Sequence, residues 1–371
     1  MRTIILILMG ALAASSSQGC AHFISSATPL PLPRSPQAQV SFNLLVSVIG
    51  KVDLKRDGWS AFYPTAFGTE LHHGDQLFLS EDSNAIVLCD GLSLWFVPAG
   101  TSSLSNGCPP SKEHILVRSE GNLAPTRGSS EDNLIPYIIS PRATSLITST
   151  PTLRWNPVLG ATSYTVSIVG ENFNWQTTID STKIVFPGQP PLQPNTPYSL
   201  IVTANDGKSS NDENIGGLGF SLLSSEEAQP IQEVADQVMA LPLPDESRTF
   251  VIAQLFAQHD LFAEAIDMLE KAITQGDYEE NIYIELGDLY LQIGLPLQAE
   301  PEYSRAVTLA NAFGDLEGSA SAEAGLGKVY LARGQRNDAI QYLEKARLVY
   351  QSIGDLQQGN QIEDLLTSLS P

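Results

Sequence analysis

A short phrase occurs three times in the C-terminal third of the chain and constrains the fold more than any other feature. The copies lie at residues 252–256, 286–290 and 326–330. They start about 34 and then about 40 residues apart, which is the period range of helical repeats. Each copy is followed by two alanines that flank a Leu or Tyr: Ala265, Leu269, Ala272; Ala299, Tyr303, Ala306; Ala339, Leu343, Ala346. The pattern predicts antiparallel helix pairs, in which the small residues Ala253, Gly287 and Gly327 allow close approach.

This pattern resembles the tetratricopeptide repeat (TPR), and the resemblance implies an α-solenoid of TPR helix pairs over residues 225–371. Residues 357–369 fit the capping helix that an open solenoid needs. In TPR proteins the first helix of each pair lines a concave face that binds another protein. The residues that match this face are Gln254, Gln258, Glu285, Asp288, Gln292 and Lys328. The alternative is that these polar side chains are only solvated.

The charges on this candidate face bear on the partner. The TPR type that grips a peptide carboxylate with Lys, Asn and Arg is not matched, because Gln254, Asp288 and Lys328 stand at the equivalent positions. Glu285 and Asp288 would repel an anionic ligand. We therefore expect a protein or peptide partner that is neutral or basic.

The overall composition narrows the possible partners further. The chain has 371 residues and a formal net charge of −21. A chain of this length exceeds what one core usually organises, so two or three domains are expected. Phosphate groups are bound by clustered Lys and Arg, so the acidic balance argues against nucleic acid and against docking onto an anionic membrane.

The N-terminal residues look like an export signal. In residues 1–19, Arg2 precedes an apolar run that is too short to span a bilayer. Gly19-Cys20 resembles the end of a bacterial lipobox, in which case a lipid on Cys20 would be the one membrane attachment; simple secretion is the alternative. Either route predicts an exported protein in the periplasm, at the outer membrane or at the cell surface. The Pro-rich residues 20–39 read as an extended tether.

Residues 40–118 alternate between short strands and turns, as a β-domain does. Three motifs stand out: Gly50-x-Val52, Gly68-x2-Leu71-x2-Gly74-Asp75 and Asp90-Gly91. They resemble the FecR-like β-domain of bacterial envelope proteins. Cys89 and Cys108 form an even pair in an exported chain, so a disulfide is expected, worth about 3 kcal/mol on the chain-entropy estimate. Two unrelated buried thiols are the alternative.

Residues 119–133 are polar and read as a linker to a second β-domain at 134–224. The segment 152–166 contains Trp155 before Tyr164, and Leu192-x-Pro194-x3-Tyr198 follows. These features resemble a fibronectin type III sandwich. The resemblance implies that Trp155 fills the centre of the sandwich and that the Tyr198 hydroxyl ties its strand to the preceding turn.

No motif in the chain indicates catalysis, a cofactor or a metal site. Residues 324–328 match only part of a phosphate-binding loop, because Val329 stands where the loop has the hydroxyl residue that would hold magnesium. His72 and His73 are adjacent, so on a strand they would point to opposite faces. A non-enzymatic role is therefore expected.

The expected architecture is a multidomain β + α chain, with a FecR-like β-domain, a fibronectin III-like sandwich and a C-terminal TPR solenoid. This layout resembles that of exported cyanobacterial TPR proteins. It favours an envelope scaffold or adaptor that binds a protein partner through the TPR groove. The alternative is an envelope sensor or signalling protein that acts through the FecR-like domain.

Overall fold

The computed structural model describes residues 40–111, 114–118, 134–213, 216–276 and 279–369. The predicted signal peptide, the lipidation candidate Cys20, the tether and the 119–133 linker lie outside these residues. The described chain forms two β-domains followed by a helical domain.

The first β-domain has two four-stranded antiparallel sheets, with orders β5-β2-β7-β8 and β4-β3-β6-β9. The strands are Val40–Ser41 (β1), Asn43–Ile49 (β2), Val52–Lys55 (β3), Tyr63–Pro64 (β4), Glu70–Leu71 (β5), Gln76–Leu79 (β6), Asn84–Leu88 (β7), Leu94–Phe96 (β8), Gly100–Ser103 (β9) and Val117–Arg118 (β10), with a short helix at Leu104–Gly107 (α1). Fully buried residues such as Leu45, Leu54 and Leu77 fill the core, and the described strands do not close into a barrel. The predicted disulfide is present: Cys89 and Cys108 are bonded, with their Cα atoms 5.3 Å apart.

The second β-domain pairs a five-stranded sheet, β12-β18-β17-β14-β15, with a three-stranded one, β11-β13-β16. Its strands are Ile138–Ser140 (β11), Thr144–Leu146 (β12), Thr152–Trp155 (β13), Tyr164–Gly170 (β14), Phe173–Ile179 (β15), Lys183–Val185 (β16), Pro197–Ala204 (β17) and Phe220–Leu222 (β18). Trp155 is buried against the Tyr164 ring, 5.6 Å between centroids. The Tyr198 hydroxyl accepts a 2.7 Å hydrogen bond from the Gln193 amide, so both side chains take the predicted positions.

The helical domain begins at a capping box in which Ser224 and Glu227 satisfy each other's amides. Its helices are Ser225–Met239 (α2), Asp245–Gln258 (α3), Phe262–Gln275 (α4), Glu280–Gln292 (α5), Pro296–Phe313 (α6), Leu316–Ala332 (α7), Arg336–Ile353 (α8) and Leu356–Ser368 (α9). The helices α4, α6 and α8 each end at a left-handed glycine, Gly276, Gly314 and Gly354. Glycine is favoured there because it adopts positive φ without a Cβ penalty.

Three helix pairs, α3/α4, α5/α6 and α7/α8, correspond to the three sequence repeats. The predicted small residues lie where the paired helices meet. A Cβ added to Gly287 would lie 2.9 Å from the Tyr303 ring, and one added to Gly327 would lie 2.6 Å from Leu343. The region is therefore a helical solenoid of the TPR type.

The two β-domains pack against opposite ends of the paired helices. The first β-domain contacts the connections that lead from one pair to the next, through the starts of α3, α5 and α7 and the α8–α9 connection. The second contacts the turns inside the first two pairs. Its Thr144 hydroxyl donates to the Asp260 carbonyl (2.9 Å), and Arg142 Nε donates to the Ile293 carbonyl (2.8 Å).

Candidate functional site

The predicted binding residues lie on one face of the first helices, which we call the inner stripe. In α3 the stripe runs through Ser247, Val251, Gln254 and Gln258; in α5 through Asn281, Glu285, Asp288 and Gln292; and in α7 it includes Lys328. Spacings of three and four residues keep these side chains on one face of each helix.

Exposure along the inner stripe differs from repeat to repeat. Gln254 and Glu285 are buried, 4% and 7% exposed, and the Gln254 amide donates to the Glu285 carboxylate at 3.4 Å. Gln258, Asp288 and Gln292 are half-buried, and Lys328 is exposed. The stripe is therefore closed at its centre in the first two repeats and accessible in the third.

Asp288 is engaged within the helical domain. Its carboxylate accepts a 2.5 Å hydrogen bond from the hydroxyl of Tyr303, whose ring packs against Gly287. Because α5 and α6 supply the two partners, Asp288 ties the helices of the second pair together. A role in contacting a partner protein for Asp288 stays a prediction.

The first β-domain contacts the inner stripe at its N-terminal end. The Ser247 hydroxyl donates to the Val46 carbonyl (2.6 Å), and the Asn281 side-chain amide donates to the Phe67 carbonyl (2.8 Å). The Phe67 ring packs against Phe250 at 5.2 Å between centroids. Nothing in the sequence marks these residues as partners, because the contacts join segments about two hundred positions apart without a shared motif.

A buried ionic cluster joins the same β-domain to the third repeat. Arg56 forms ion pairs with Asp75 (3.1 Å) and with Glu317 of α7 (2.7 Å). Burial acts to lower the pKa of Arg56, but the two carboxylates raise it above its usual range. Burial raises the pKa of Glu317 while Arg56 opposes that shift. The guanidinium therefore remains charged and bridges the two domains.

The α8–α9 connection supplies the last contact with the first β-domain. The Ser60 amide donates to the Ile353 carbonyl (3.0 Å), and the Trp59 indole donates to the Asp355 carboxylate (3.3 Å). Gly354 lies so close to the β-domain that an added Cβ would be 2.6 Å from the Gly58 carbonyl oxygen. The β-domain thus contacts all three repeats and the terminal helix.

The second β-domain is held by a buried arginine. Arg142 is 1% exposed and pairs with Glu213 (3.1 Å) while it donates to the α5–α6 turn. Arg154 pairs with Glu270 (2.6 Å) and Asp267 (3.2 Å) of α4. These contacts lie on the opposite side from the first β-domain.

The part of the chain that the structure describes has neither a cluster of metal ligands nor a candidate membrane span. Within those residues, no three His, Cys, Asp or Glu side chains converge as metal ligands. Over the same residues, no helix has both the length and the apolar character needed to cross a bilayer.

Comparison with known proteins agrees with the helical architecture. The family model of the tetratricopeptide repeat matches residues 278–352, which span the second and third repeats. None of the curated proteins compared with this chain matches it.

Several solved structures match over 39% of the chain. A MamA crystal structure is 22% identical over 79% of its own length, with a TM-score of 0.28. BtubC from P. vanneervenii is 16% identical over 73% of its length, with a TM-score of 0.29. A putative kinesin light chain from Podosopora anserina is 18% identical over 88% of its length, with a TM-score of 0.28. Residues 278–352 are matched as tetratricopeptide repeats, within a C-terminal helical solenoid of the TPR type.

Proposed function

We propose that the protein is a non-catalytic scaffold that holds another protein on its TPR repeats. The observation that carries the proposal is the open third repeat, where the inner stripe exposes Lys328 while the equivalent positions of repeats one and two are covered or partly covered. TPR repeats typically act in protein–protein interaction, and in this chain the third repeat leaves that surface accessible.

The charge of the partner does not enter the proposal. A neutral or basic partner was expected because Glu285 and Asp288 would repel an anion. In the structure Glu285 is buried, and the Asp288 carboxylate accepts a hydrogen bond from the Tyr303 hydroxyl. The exposed charge on the stripe is Lys328.

We further propose an envelope location, with the two β-domains as FecR-like and fibronectin III-like modules and Cys20 as a lipid anchor. The Cys89–Cys108 disulfide supports an oxidising compartment, because disulfides are rare in cytosolic proteins. The sensor alternative is supported by one observation, since the first β-domain contacts every repeat and a ligand on it could influence the whole solenoid.

Site-specific photo-crosslinking in cells tests the scaffold proposal. A photoreactive amino acid at position 328 should give a discrete adduct with a partner protein. The same amino acid at position 271 is the matched control, because Lys271 is an exposed basic residue on α4, the second helix of the first pair. Equal adducts from both positions, or adducts only from positions in the β-domains, would contradict the proposal.

A further inference from the structure

The outward face of the β4-β3-β6-β9 sheet carries a buried carboxylate. Val52 and Leu54 of β3 lie in the core of the first β-domain, so Asp53 between them lies on the opposite face of the sheet. Its cross-strand neighbours are Phe78 of β6 and Pro64 of β4. Asp53 is nevertheless 5% exposed, and a carboxylate buried this deeply needs a partner.

The partner that Asp53 has within this chain uses one of its two oxygens. The Lys51 ammonium lies 3.2 Å from Oδ2, and the Lys51 side chain is 66% exposed. Oδ1 is buried and has no hydrogen-bond partner among the residues that the structure describes. Leaving a buried acceptor unpaired is unfavourable, so the site favours a donor that reaches both oxygens. Pro64 and Thr101 beside Asp53 are exposed, and a partner can therefore approach this face.

Two aromatic rings border the carboxylate. Phe78 lies directly across from Asp53, and the Cβ atoms of such cross-strand pairs are roughly 5 Å apart. Phe62 packs against Phe78 with 6.2 Å between ring centroids, and both rings are half-buried. The Lys55 ammonium lies 6.0 Å from the Phe62 centroid, in the position of a cation–π contact. The face thus offers a carboxylate and aromatic rings to a positively charged group.

A guanidinium matches these features better than an ammonium does. It is planar, it donates parallel hydrogen bonds to both oxygens of a carboxylate, and it stacks on aromatic rings. An ammonium is a point charge, and the one on Lys51 pairs with a single oxygen of Asp53. The formal net charge of −21 also favours the approach of a basic segment. The occupant that fits this face is therefore an arginine side chain.

We propose that this face binds an arginine side chain of a partner protein. The guanidinium displaces Lys51, donates to both oxygens of Asp53 and packs against the ring of Phe78. Until the partner arrives, Lys51 neutralises the carboxylate. The surface lies on the first β-domain, so the proposal goes beyond the scaffold function and does not rest on it.

Peptide titration followed by NMR tests the proposal on the whole protein. The probe is the capped tripeptide Val-Arg-Val, and the matched control carries citrulline in place of arginine, which keeps the shape and removes the charge. The arginine peptide should shift the amide signals of Phe78 and Thr101, which pair across β6 and β9, until the shifts saturate. The citrulline peptide should leave them in place. Equal shifts from the two peptides, or shifts that never saturate, would overturn the proposal.

A pair of aspartate variants tests whether Asp53 is the receptor. Asp53→Asn should weaken binding of the arginine peptide roughly tenfold or more, because the peptide loses a largely buried charge partner. Asp82→Asn removes the same charge from an exposed position of the same domain and should leave the affinity nearly unchanged. Equal losses in the two variants would reduce the effect to net charge and refute a site at Asp53.

Lys51→Gln provides a second test if Asp53→Asn does not fold. It removes the internal competitor, so the arginine peptide should bind about twofold to fivefold more tightly, which is the size of an exposed lysine–carboxylate pair. Lys55→Gln takes the same charge from the same face but leaves Lys51 paired with Asp53, so its effect should be smaller. Equal gains in the two lysine variants, or no gain in Lys51→Gln, would mean that the peptide does not displace Lys51 and would contradict the proposal.

Discussion

The buried carboxyl of Asp315 contributes to the pH dependence of the protein's stability. It is 3% exposed and caps α7 by accepting a 2.9 Å hydrogen bond from the Gly318 amide. Burial and the neighbouring Glu317 raise its pKa to about 7. An unfolded aspartate has a pKa of about 3.9, so the folded state holds the proton more tightly. The stabilisation is therefore complete below about pH 4 and is lost as the pH rises through 7.

Replacing Asp315 by Asn should flatten this pH dependence. The amide oxygen can still accept from Gly318, because Asn is as good an N-cap as Asp. Denaturant unfolding at several pH values between about 4 and 8 should show that the wild type loses up to a few kcal/mol that the variant keeps, since one pKa unit is about 1.4 kcal/mol. Part of the slope should remain, because burial also raises the pKa of Glu280 to about 7. Asp338→Asn, at an exposed position in the first turn of α8, is the control, and an equal flattening there would contradict the assignment.

At the scale of the element, the second and third helix pairs pack together around the Tyr303 ring. Its ring lies between Gly287 of α5 and Gly325 of α7, where an added Cβ would be 2.9 Å and 2.3 Å from ring atoms. Gly325→Ala should therefore lower the free energy of unfolding by about 1–3 kcal/mol through overpacking. Gly359→Ala in α9 is the matched control, because its nearest neighbour would be 3.6 Å away, and it should be neutral or slightly stabilising. Chemical denaturation of the two variants would contradict the packing account if both lost stability equally.

The elements were largely predictable because their signals are local. The repeat phrase predicted the positions of Gly287 and Gly327, since each fits a helix of its own pair. The repeat also indicated Gly325 as a packing position, but not its partner: Gly325 meets Tyr303 of the preceding pair, and contact between repeats depends on how the pairs stack. The predicted binding residues show the same limit. Helical spacing predicts that they share one face, but it does not predict how deeply each of them is buried.

At the scale of the whole molecule, the sequence predicted a β-rich N-terminal part and a TPR-type solenoid and missed how they fit together. Strand alternation, the Cys89–Cys108 pair and the repeats each leave a pattern within one segment. Ser247 and Phe67 belong to no such pattern, because each makes its contact with the other domain only after the fold has brought distant segments together. Gln254 and Glu285 contact each other across α3 and α5 at the centre of the inner stripe, and their burial depends on how the helices stack, so the sequence alone overestimated how much of the TPR surface is free.

Docking should extend to the far end of the solenoid, at the α8–α9 connection. An alanine at Gly354 would put its Cβ 2.6 Å from the Gly58 carbonyl oxygen, which is backbone and cannot rotate away. Gly334 has a similar φ, +73° against +91°, and its Cβ would meet nothing within 4 Å. Both alanines therefore carry the strain of positive φ, about 1 kcal/mol, and only Gly354→Ala also pushes the domains apart. Hydrogen exchange at the Ser60 amide, which donates to the Ile353 carbonyl, should accelerate in Gly354→Ala and not in Gly334→Ala. Equal protection of Ser60 in the two variants would mean that the β-domain tolerates a gap at this end and is held by the first two repeats alone.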